Sequence, residues 1–380
     1  MKITIIYILI LTIVVSLYSC SINTKKNTGM MSKFAWDPSV ACPENYPVEI
    51  KYGYVGFGKK GERFPIMQQF AKLGIGIPGG GIGLNDYRVE KGFPVPNSLE
   101  IVWASYTEKK FYKAKYDFPE ELQEKILELF RQEFYDCEDS TYYRYDNLVL
   151  TLLPHGIIWL SLTGPGRYVC LDHIIQAEEV KMEVADFVET RHKTMDEFCS
   201  GRLSDYPKAI VNLEKNGIPA YHFWERYAER FRYKIKIEFE DPQANLDPDF
   251  GYDFTNGEYF RDADRIKVEL YARIRKLIMF WSVDGVLYTG FFYFNEDEVM
   301  TLFAEAYREN RNQPGEFIIK VGKYNNWFDI FLQVGGKEYK FELTKIHVFS
   351  QGINQRDRDA VVFYNNHSGE HSSTIKFVGE

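Results

Sequence analysis

The chain has 380 residues, of which 45% are hydrophobic and 16% aromatic, and its formal net charge at pH 7 is −8. This length allows one large or two medium domains, each with a sizeable core. Acidic and basic residues are interspersed along the chain. It therefore lacks the concentrated Lys/Arg stripe of nucleic-acid-binding proteins, and we predict no nucleic-acid partner.

The N-terminus has the pattern of a secretory signal. Lys2 precedes an apolar stretch from Ile3 to Leu17, which is shorter than the ~20 residues of a membrane-spanning helix. The stretch ends in Leu17-Tyr18-Ser19-Cys20, which resembles the lipobox of bacterial lipoproteins. We predict a cleaved signal peptide over residues 1–20 and lipidation of Cys20. The alternatives are an uncleaved anchor helix or an ordinary signal peptide with an unrelated cysteine.

Lipidation of Cys20 would place the chain in the bacterial cell envelope, held on a membrane through its acyl chains. Ser21 follows the cysteine where an Asp would be typical of inner-membrane retention, so the predicted address is the outer membrane. Residues 21–33 are polar and predict a flexible tether. Beyond the leader, no other segment is long and apolar enough to cross a bilayer.

The next elements in chain order form a hairpin, a helix and three strands. Leu99–Trp103 and Tyr112–Phe118 predict two strands joined by a charged turn. Pro119 suits the start of a helix whose apolar face is Leu122, Ile126, Leu129 and Phe130. Strand-like runs follow at 148–153, 157–162 and 168–175.

Two helices are predicted in the following segment, residues 186–231. Asp205 could cap a helix that runs to Asn216 and is closed by Gly217. A second helix would carry Trp224, Tyr227 and Phe231. We interpret the segment as a helical connector.

The pattern of hairpin, helix and three strands then recurs. Residues 277–281 and 288–294 predict a hairpin, and Asn295 with Glu298 three residues later is a capping-box pattern that opens a helix. Strand-like runs follow at 317–321, 327–334 and 339–349. An internal repeat explains this recurrence. The alternative is a coincidence between two aromatic-rich β segments.

These elements predict an α+β fold, with two similar antiparallel-sheet units that each contain one helix and are joined by a short helical segment. The predicted units are residues 34–185 and 232–380, and the connector is residues 186–231.

Several short motifs suggest chemistry but lack the required context. The glycine run at 74–79 resembles a dinucleotide fingerprint, yet no clear strand precedes it, and we predict no nucleotide partner. Asp247, Asp249, Asp253 and Glu258 have some calcium-loop spacing without flanking helices. Cys170 and His173 lie in one predicted strand, where residues three apart face opposite ways. The sequence therefore predicts no metal site, no cofactor and no catalytic residue, and it leans away from an enzyme.

The turns offer a better candidate. Glu108, Lys110 and Tyr112 lie at or beside the first hairpin turn, and His155 lies in the turn of Pro154-His155-Gly156. Because turns carry function more often than the strands they connect, we predict a surface site at these four residues. The aromatic residues near the equivalent turns are assigned to the core: Trp103, Trp159, Trp281 and Trp327.

Four cysteines remain after the lipidation site: Cys42, Cys137, Cys170 and Cys199. The predicted compartment permits disulfides, but three pairings are possible and the spacing does not choose among them.

Several of these segments, taken in order, resemble a known family. The run Trp103–Tyr112 is similar to a conserved block of an uncharacterised group of bacterial lipoproteins, domain of unknown function 2931. Further similar blocks are Tyr46–Ile50, Pro154–Gly156 with Trp159 and Gly164, Gln176–Glu179, Gly217–Pro219, Trp224–Tyr227 and Arg230–Phe231. The likeness covers most of residues 34 to 235. It departs from the family at His155, where glycine is usual, and at Tyr233, where tryptophan is common.

The family resemblance implies a lipid-anchored protein but no catalytic residues, because the family's own activity is unknown. Some relatives accompany secreted antibacterial toxins as envelope immunity proteins. Three hypotheses follow. The first is a non-catalytic binding protein with a protein partner, of which toxin immunity is one form. The second is an envelope hydrolase acting on glycan or lipid, and the third is a structural envelope protein.

Overall fold

The protein is rich in β-strands. A computed structural model describes residues 33–74, 92–136, 141–248, 251–261, 268–352 and 359–367. Strands make up 48% of the structure and helices 18%. The 27 tyrosines and 29 phenylalanines explain this balance, because aromatic side chains fit the half-buried surface of a pleated sheet. Cys20 and the predicted tether, up to residue 32, lie outside the described residues.

Twelve strands belong to the first half of the chain, which we define as residues 33–180. They are β1 (Asp37–Cys42), β2 (Val48–Phe57), β3 (Glu62–Pro65), β4 (Lys72–Leu73), β5 (Pro96–Ser105), β6 (Lys110–Asp117), β7 (Phe134–Asp136), β8 (Thr141–Tyr143), β9 (Asn147–Leu153), β10 (Ile157–Gly164), β11 (Arg167–Gln176) and β12 (Glu178–Val180).

The other twelve belong to the second half, residues 231–367. They are β13 (Phe231–Phe239), β14 (Asn245–Leu246), β15 (Gly251–Phe254), β16 (Tyr259–Phe260), β17 (Glu269–Tyr271), β18 (Ile274–Val283), β19 (Val286–Tyr293), β20 (Gly315–Val321), β21 (Phe328–Val334), β22 (Lys337–Lys340), β23 (Lys345–Gly352) and β24 (Val361–Asn365).

Six α-helices occur in the described residues. They are α1 (Glu120–Arg131), α2 (Val184–Phe187), α3 (Met195–Leu203), α4 (Pro207–Asn216), α5 (Glu225–Ala228) and α6 (Glu296–Ala306). A single 3₁₀ turn, Pro154–Gly156, joins β9 to β10. Among the described residues, none of these helices combines the length and apolarity that a membrane span requires.

The strands form three large sheets. The largest has 12 strands in the order β24-β23-β19-β18-β15-β16-β11-β10-β9-β1-β4, with β14 beside β18. A five-stranded sheet, β12-β6-β5-β2-β3, belongs to the first half, and another, β17-β13-β20-β21-β22, belongs to the second. Strands β7 and β8 form a separate two-stranded sheet. One apolar core lies between the sheets of the first half and a second core between those of the second half.

Both halves follow the same succession of pairings. In each, an antiparallel hairpin (β5–β6 or β18–β19) precedes the longest helix of that half. A later strand pairs in parallel with the first strand of its half: β9, which follows the small β7–β8 pair, with β1, and β20 with β13. Trp103 lies opposite Tyr112 and Trp281 opposite Tyr288, with ring centroids 5.4 Å apart in both pairs. The predicted boundaries at residues 185 and 231 stay a prediction.

The predicted fold class is wrong. We expected an α+β protein of two antiparallel-sheet units with one helix each, whereas the chain is mostly β and its large sheets are mixed. The parallel pairs β1–β9 and β13–β20 make them mixed. The halves also share a sheet, because Arg167 and Tyr168 in β11 pair with Phe260 and Tyr259 in β16. Period-2 patterns identify strands, but they do not reveal which strands pair across long sequence distances.

The helix patterns predicted their segments with small errors. Asn295 caps α6 by accepting a hydrogen bond from Glu298 N–H at 3.1 Å. Gly217 closes α4 at φ +68°, although this helix begins at Pro207 without a cap from Asp205. Helix α5 ends at Ala228, so Phe231 belongs to β13, where it pairs with Tyr271.

Candidate functional site

The four predicted surface residues separate into a cluster of three and one outlier. Glu108 Oε1 accepts hydrogen bonds from the Tyr112 hydroxyl at 3.0 Å and from His155 N–H at 2.9 Å. The Ser105 hydroxyl donates to Glu108 Oε2 at 2.9 Å. Lys110 instead forms an exposed ion pair with Glu179 at 2.7 Å. The structure therefore brings Glu108, Tyr112 and His155 together and leaves Lys110 outside.

This cluster joins the β5–β6 turn to the turn after β9. Burial, and then the neighbouring carboxylate of Glu108, raises the pKa of Tyr112 well above that of a free phenol, so this residue stays a neutral donor. Gly156 is required beside it, because a Cβ there would lie 2.7 Å from the Tyr112 ring and the backbone φ is +71°. The turn at Gly156 is therefore packed directly against the Tyr112 ring.

His155 extends the contact to the helical segment. Its Nε2 lies 2.6 Å from Pro219 O, and its Nδ1 lies 3.7 Å from Glu108 Oε1. The Tyr221 ring packs 5.9 Å from the imidazole. Glu108 and His155 therefore connect the chain after α4 to the turn that follows β9. Because both side chains are engaged in these contacts, neither is free to act as a general base.

A second candidate lies at a β-bulge in β11. Trp159 pairs with Ile174 and Ser161 with Cys170, so the residues between Cys170 and Ile174 oppose a single residue of β10. Asp172 within the bulge has φ +53°. The bulge interrupts the alternation of side chains, and Cys170 and His173 line the same recess. The two side chains have different neighbours, as expected for opposite faces: Cys170 packs in a cluster with Trp159 and Trp224, whereas the His173 ring packs on Tyr116.

We call this recess the bulge pocket. Its volume is about 370 Å³, within the range of small-molecule sites. One wall comes from β10 and β11, and the other from the end of α5 and the residues before β13. Its lining consists of Trp159, Cys170, Asp172, His173, Ile174, Ala228 and Arg230.

Arg230 is the cation of the pocket, and its guanidinium is fully engaged. Nε and Nη2 donate to Asp172 Oδ1 at 3.0 and 2.8 Å. Nη1 and Nη2 donate to the two oxygens of buried Glu258 at 3.0 and 2.8 Å. Nη1 also donates to Leu270 O at 3.2 Å. These five bonds match the five N–H donors of arginine, so none is left for an anionic ligand.

The other polar groups of the pocket are similarly occupied or uncharged. Burial raises the pKa of the Cys170 thiol to about 12, so it is not a thiolate nucleophile at neutral pH. Asp172 Oδ2 accepts a bond from Lys125 at 3.3 Å. Burial, and then Lys125, lowers the pKa of His173, which keeps its imidazole neutral.

The His173 imidazole packs against the Tyr116 ring of β6, with ring centroids 5.6 Å apart. Its Nε2 lies 2.9 Å from the Tyr116 hydroxyl oxygen. No residue in the described part of the chain forms a hydrogen bond with its Nδ1. A neutral imidazole can either donate or accept at this nitrogen, according to which tautomer the tyrosine selects. The bulge pocket therefore combines apolar side chains with charged groups that are already paired within the protein.

The remaining motifs receive structural explanations or lie outside the described residues. Asp253 is paired with Arg261 and Arg275, and Glu258 with Arg230, so two of the calcium-loop carboxylates are taken by arginines. Among the described residues, no group of three His, Cys, Asp or Glu side chains could hold a metal ion. Residues 75–79 of the glycine run and Asp249 lie outside that part of the chain.

The cysteine and tryptophan predictions have mixed outcomes. Cys42, Cys170 and Cys199 are buried free thiols, while Cys137 lies outside the described residues. Trp103, Trp159 and Trp281 are in the core as predicted. The prediction for Trp327 is wrong, because this residue, which directly precedes β21, is 49% exposed.

Sequence reasoning missed the ion-pair network at the bulge pocket, in which Arg230 binds both Asp172 and Glu258. A weak signal was present in Asp172-His173, a polar pair within an otherwise apolar strand, since such an interruption can mark a bulge. No local pattern linked this pair to Glu258, which lies in the second half of the chain.

Comparison with protein families gives one finding. The model described as "Protein of unknown function (DUF2931)" matches residues 22–220, which is more than half of the chain. Comparisons with curated proteins and with solved structures give no significant match.

Proposed function

Because the chain belongs to the DUF2931 family, whose function is unknown, we propose its role from its own residues: a lipid-anchored envelope protein that binds a partner without catalysis. The family match extends from residue 22 to residue 220, whereas the bulge pocket also uses Ala228 and Arg230. The proposed site therefore includes residues beyond the matched region.

The anchor is supported by the sequence of the leader. The apolar stretch before Leu17-Tyr18-Ser19-Cys20 has the length of a signal peptide, and the polar residues 21–33 fit a tether. Two acyl chains would hold the domain on a membrane surface, with Ser21 directing it to the outer membrane.

The observation that carries the binding role is the saturation of the charged groups in the bulge pocket. Arg230 uses all five donors internally, and Cys170 is a protonated thiol at neutral pH. A hydrolase needs an available nucleophile or a carboxylate free to move a proton. A recess with apolar walls and paired charges favours binding over both hydrolysis and a purely structural role. The family resemblance suggests a protein partner, of which a secreted toxin is one kind.

The anchor is tested by cell fractionation with mass spectrometry of the mature protein. We expect the wild type in the membrane fraction with an acylated Cys20, and Cys20→Ala in the soluble or secreted fraction. Ser21→Asp is the matched variant, because it keeps the lipidation site and should move the protein to the inner membrane. The proposal fails if wild type and Cys20→Ala fractionate together and neither carries lipid.

The non-catalytic role is tested with the purified protein on ester lipids and envelope glycan. We expect no turnover above a blank. Turnover that disappears in the His173→Gln variant would establish the hydrolase instead.

A further inference from the structure

The loop between β20 and β21 presents two aromatic side chains to solvent. We call residues 322–327 the aromatic loop. Within it, Tyr324 is 73% exposed and Trp327 is 49% exposed. The other five tryptophans of the chain are at most 3% exposed. Trp327 therefore differs from every other tryptophan in the protein, and it does so beside a second exposed ring.

The aromatic loop is held in one conformation from within and from beneath. Gly322 N–H donates to Trp327 O at 2.8 Å, and Asn325 N–H donates to Gly322 O at 2.9 Å. Asn325 has φ +58°, and its Oδ1 accepts a hydrogen bond from the indole of buried Trp281 at 2.9 Å. The two exposed rings are therefore carried by a fixed turn, which lowers the entropy that is lost when they bind.

The exposed groups of the loop are those that favour the boundary between water and lipid. The Trp327 indole lies against Gly322, where a Cβ would be only 3.0 Å from its Cε3, so part of the ring is covered and the rest is open. Tryptophan and tyrosine combine an apolar ring with one polar N–H or O–H, and both are enriched at membrane–water interfaces. Lys323 is exposed beside Tyr324 and adds a cation that suits anionic lipid headgroups.

The size of the exposed surface favours a membrane over a protein partner. From their exposed fractions, Tyr324 and Trp327 together present about 250 Å² of side chain. A stable protein–protein interface buries about 800 Å² on each partner. A membrane contact can be much smaller when an anchor already holds the chain on the bilayer, because the contact is then intramolecular and its effective concentration is high.

The proposed anchor lies close to the fold in sequence. The described structure begins at Lys33, which is 13 residues after Cys20. A segment of this length spans at most about 45 Å when it is fully extended. An acylated Cys20 would therefore keep the fold at the bilayer surface, where a weak second contact can form.

We propose that the aromatic loop inserts Tyr324 and Trp327 into the headgroup region of the membrane and forms a second contact besides the acyl chains of Cys20. The two contacts together would set which face of the fold is turned toward the bilayer. This inference rests on the proposed anchor and goes beyond the proposed partner binding.

The test is tryptophan fluorescence of the acylated protein in vesicles of phosphatidylethanolamine and phosphatidylglycerol. All six tryptophans lie in the described residues, and Trp327 is the one that a quencher can reach from outside. We expect the vesicles to protect Trp327 from quenching by acrylamide and to shift its emission to shorter wavelength. Lipids with brominated acyl chains should quench the same emission.

Three variants assign the signal to the loop. Trp327→Phe should abolish quenching by brominated lipids. Tyr324→Ser keeps the reporter and should restore part of the quenching by acrylamide. Tyr142→Ser is the matched control, because this tyrosine of β8 is also highly exposed, at 67%, and should leave the signal unchanged. Equal effects of Tyr142→Ser and Tyr324→Ser would contradict the proposal. Circular dichroism checks that each variant is folded.

The remaining outcomes separate this contact from the anchor. If the acylated protein floats with the vesicles while Trp327 stays open to acrylamide, the membrane contact is overturned and the anchor stands. A chain without lipid on Cys20 would overturn both, because two side chains alone hold a protein too weakly. Radical footprinting with mass spectrometry extends the test to cell envelopes. Protection of Trp327 there, but not in vesicles, would assign the loop to a protein or glycan and overturn the lipid contact.

Discussion

Asp37 shows how a single buried carboxyl group makes stability depend on pH. Burial, the largest contribution, raises its pKa from 3.8 to about 6, and the hydrogen bond from Asn147 at 2.7 Å offsets this only partly. The folded state then binds the proton more tightly than the unfolded state. The corresponding stabilisation is complete below about pH 4 and is lost as the pH rises through about 6.

The substitution Asp37→Asn keeps the size of the side chain and the acceptor for Asn147 but removes the titration. At pH 4 the variant and the wild type should have similar free energies of unfolding. At pH 7.5 the variant should be more stable by up to about 3 kcal/mol, following the raised pKa. Urea denaturation at both pH values measures the difference in the free energy of unfolding between the variant and the wild type. If this difference is the same at pH 4 and at pH 7.5, the raised pKa of Asp37 is contradicted.

The bulge in β11 is a residue-scale feature that sequence patterns do not resolve. Alternation assigns side chains to the two faces of a strand only while both paired strands advance together. The register shift between Trp159 and Ser161 adds residues to one strand alone. Only pairing with the neighbouring strand reveals such a shift, so the pocket it creates could not be derived from the sequence.

At the scale of elements, buried polar contacts fix where helices attach to sheets. Helix α3 is held on β2 by Glu49, whose side chain is only 1% exposed. The Glu49 carboxylate accepts hydrogen bonds from Arg202 Nη2 at 3.2 Å, the Tyr106 hydroxyl at 2.6 Å and Gln69 Nε2 at 2.9 Å. The amphipathic helix patterns were recognisable in the sequence, but this attachment joins residues from distant segments.

Replacing Glu49 with glutamine tests this attachment. The amide would present N–H groups to donors and remove the charge that balances Arg202, so the free energy of unfolding should fall by about 2–4 kcal/mol. Glu179→Gln is the matched control, because its exposed pair with Lys110 should contribute only about 0–1 kcal/mol. Equal losses in the two variants, measured by urea denaturation, would show that Glu49 does not hold the helix.

At the scale of the whole molecule, a continuous sheet and Arg230 both connect the two halves. Strand β11 pairs with β16, and Arg230 links Asp172 of the first half to Glu258 and Leu270 of the second. The sequence indicated most strands and the recurrence of hairpin, helix and strands. It did not indicate the parallel pairs or the shared sheet, because these depend on contacts between residues far apart in the chain.

The substitution Arg230→Met should destabilise the molecule by about 3–5 kcal/mol, because it leaves the buried Glu258 carboxylate without a counter-charge. In a Glu258→Gln background the same substitution should cost less, which a double-mutant cycle measures. Arg63→Met, at an exposed ion pair with Glu100, serves as the control. A loss no larger than that of the control would mean that Arg230 does not join the halves.

The most direct test of the pocket is a crystal structure of the purified protein. We expect Asp172 at positive φ within the bulge of β11, and Arg230 bound to both Asp172 and Glu258. A regular β11 without a bulge, or an Arg230 that is turned away from the two carboxylates, would contradict the proposal that the charges of the pocket are paired internally.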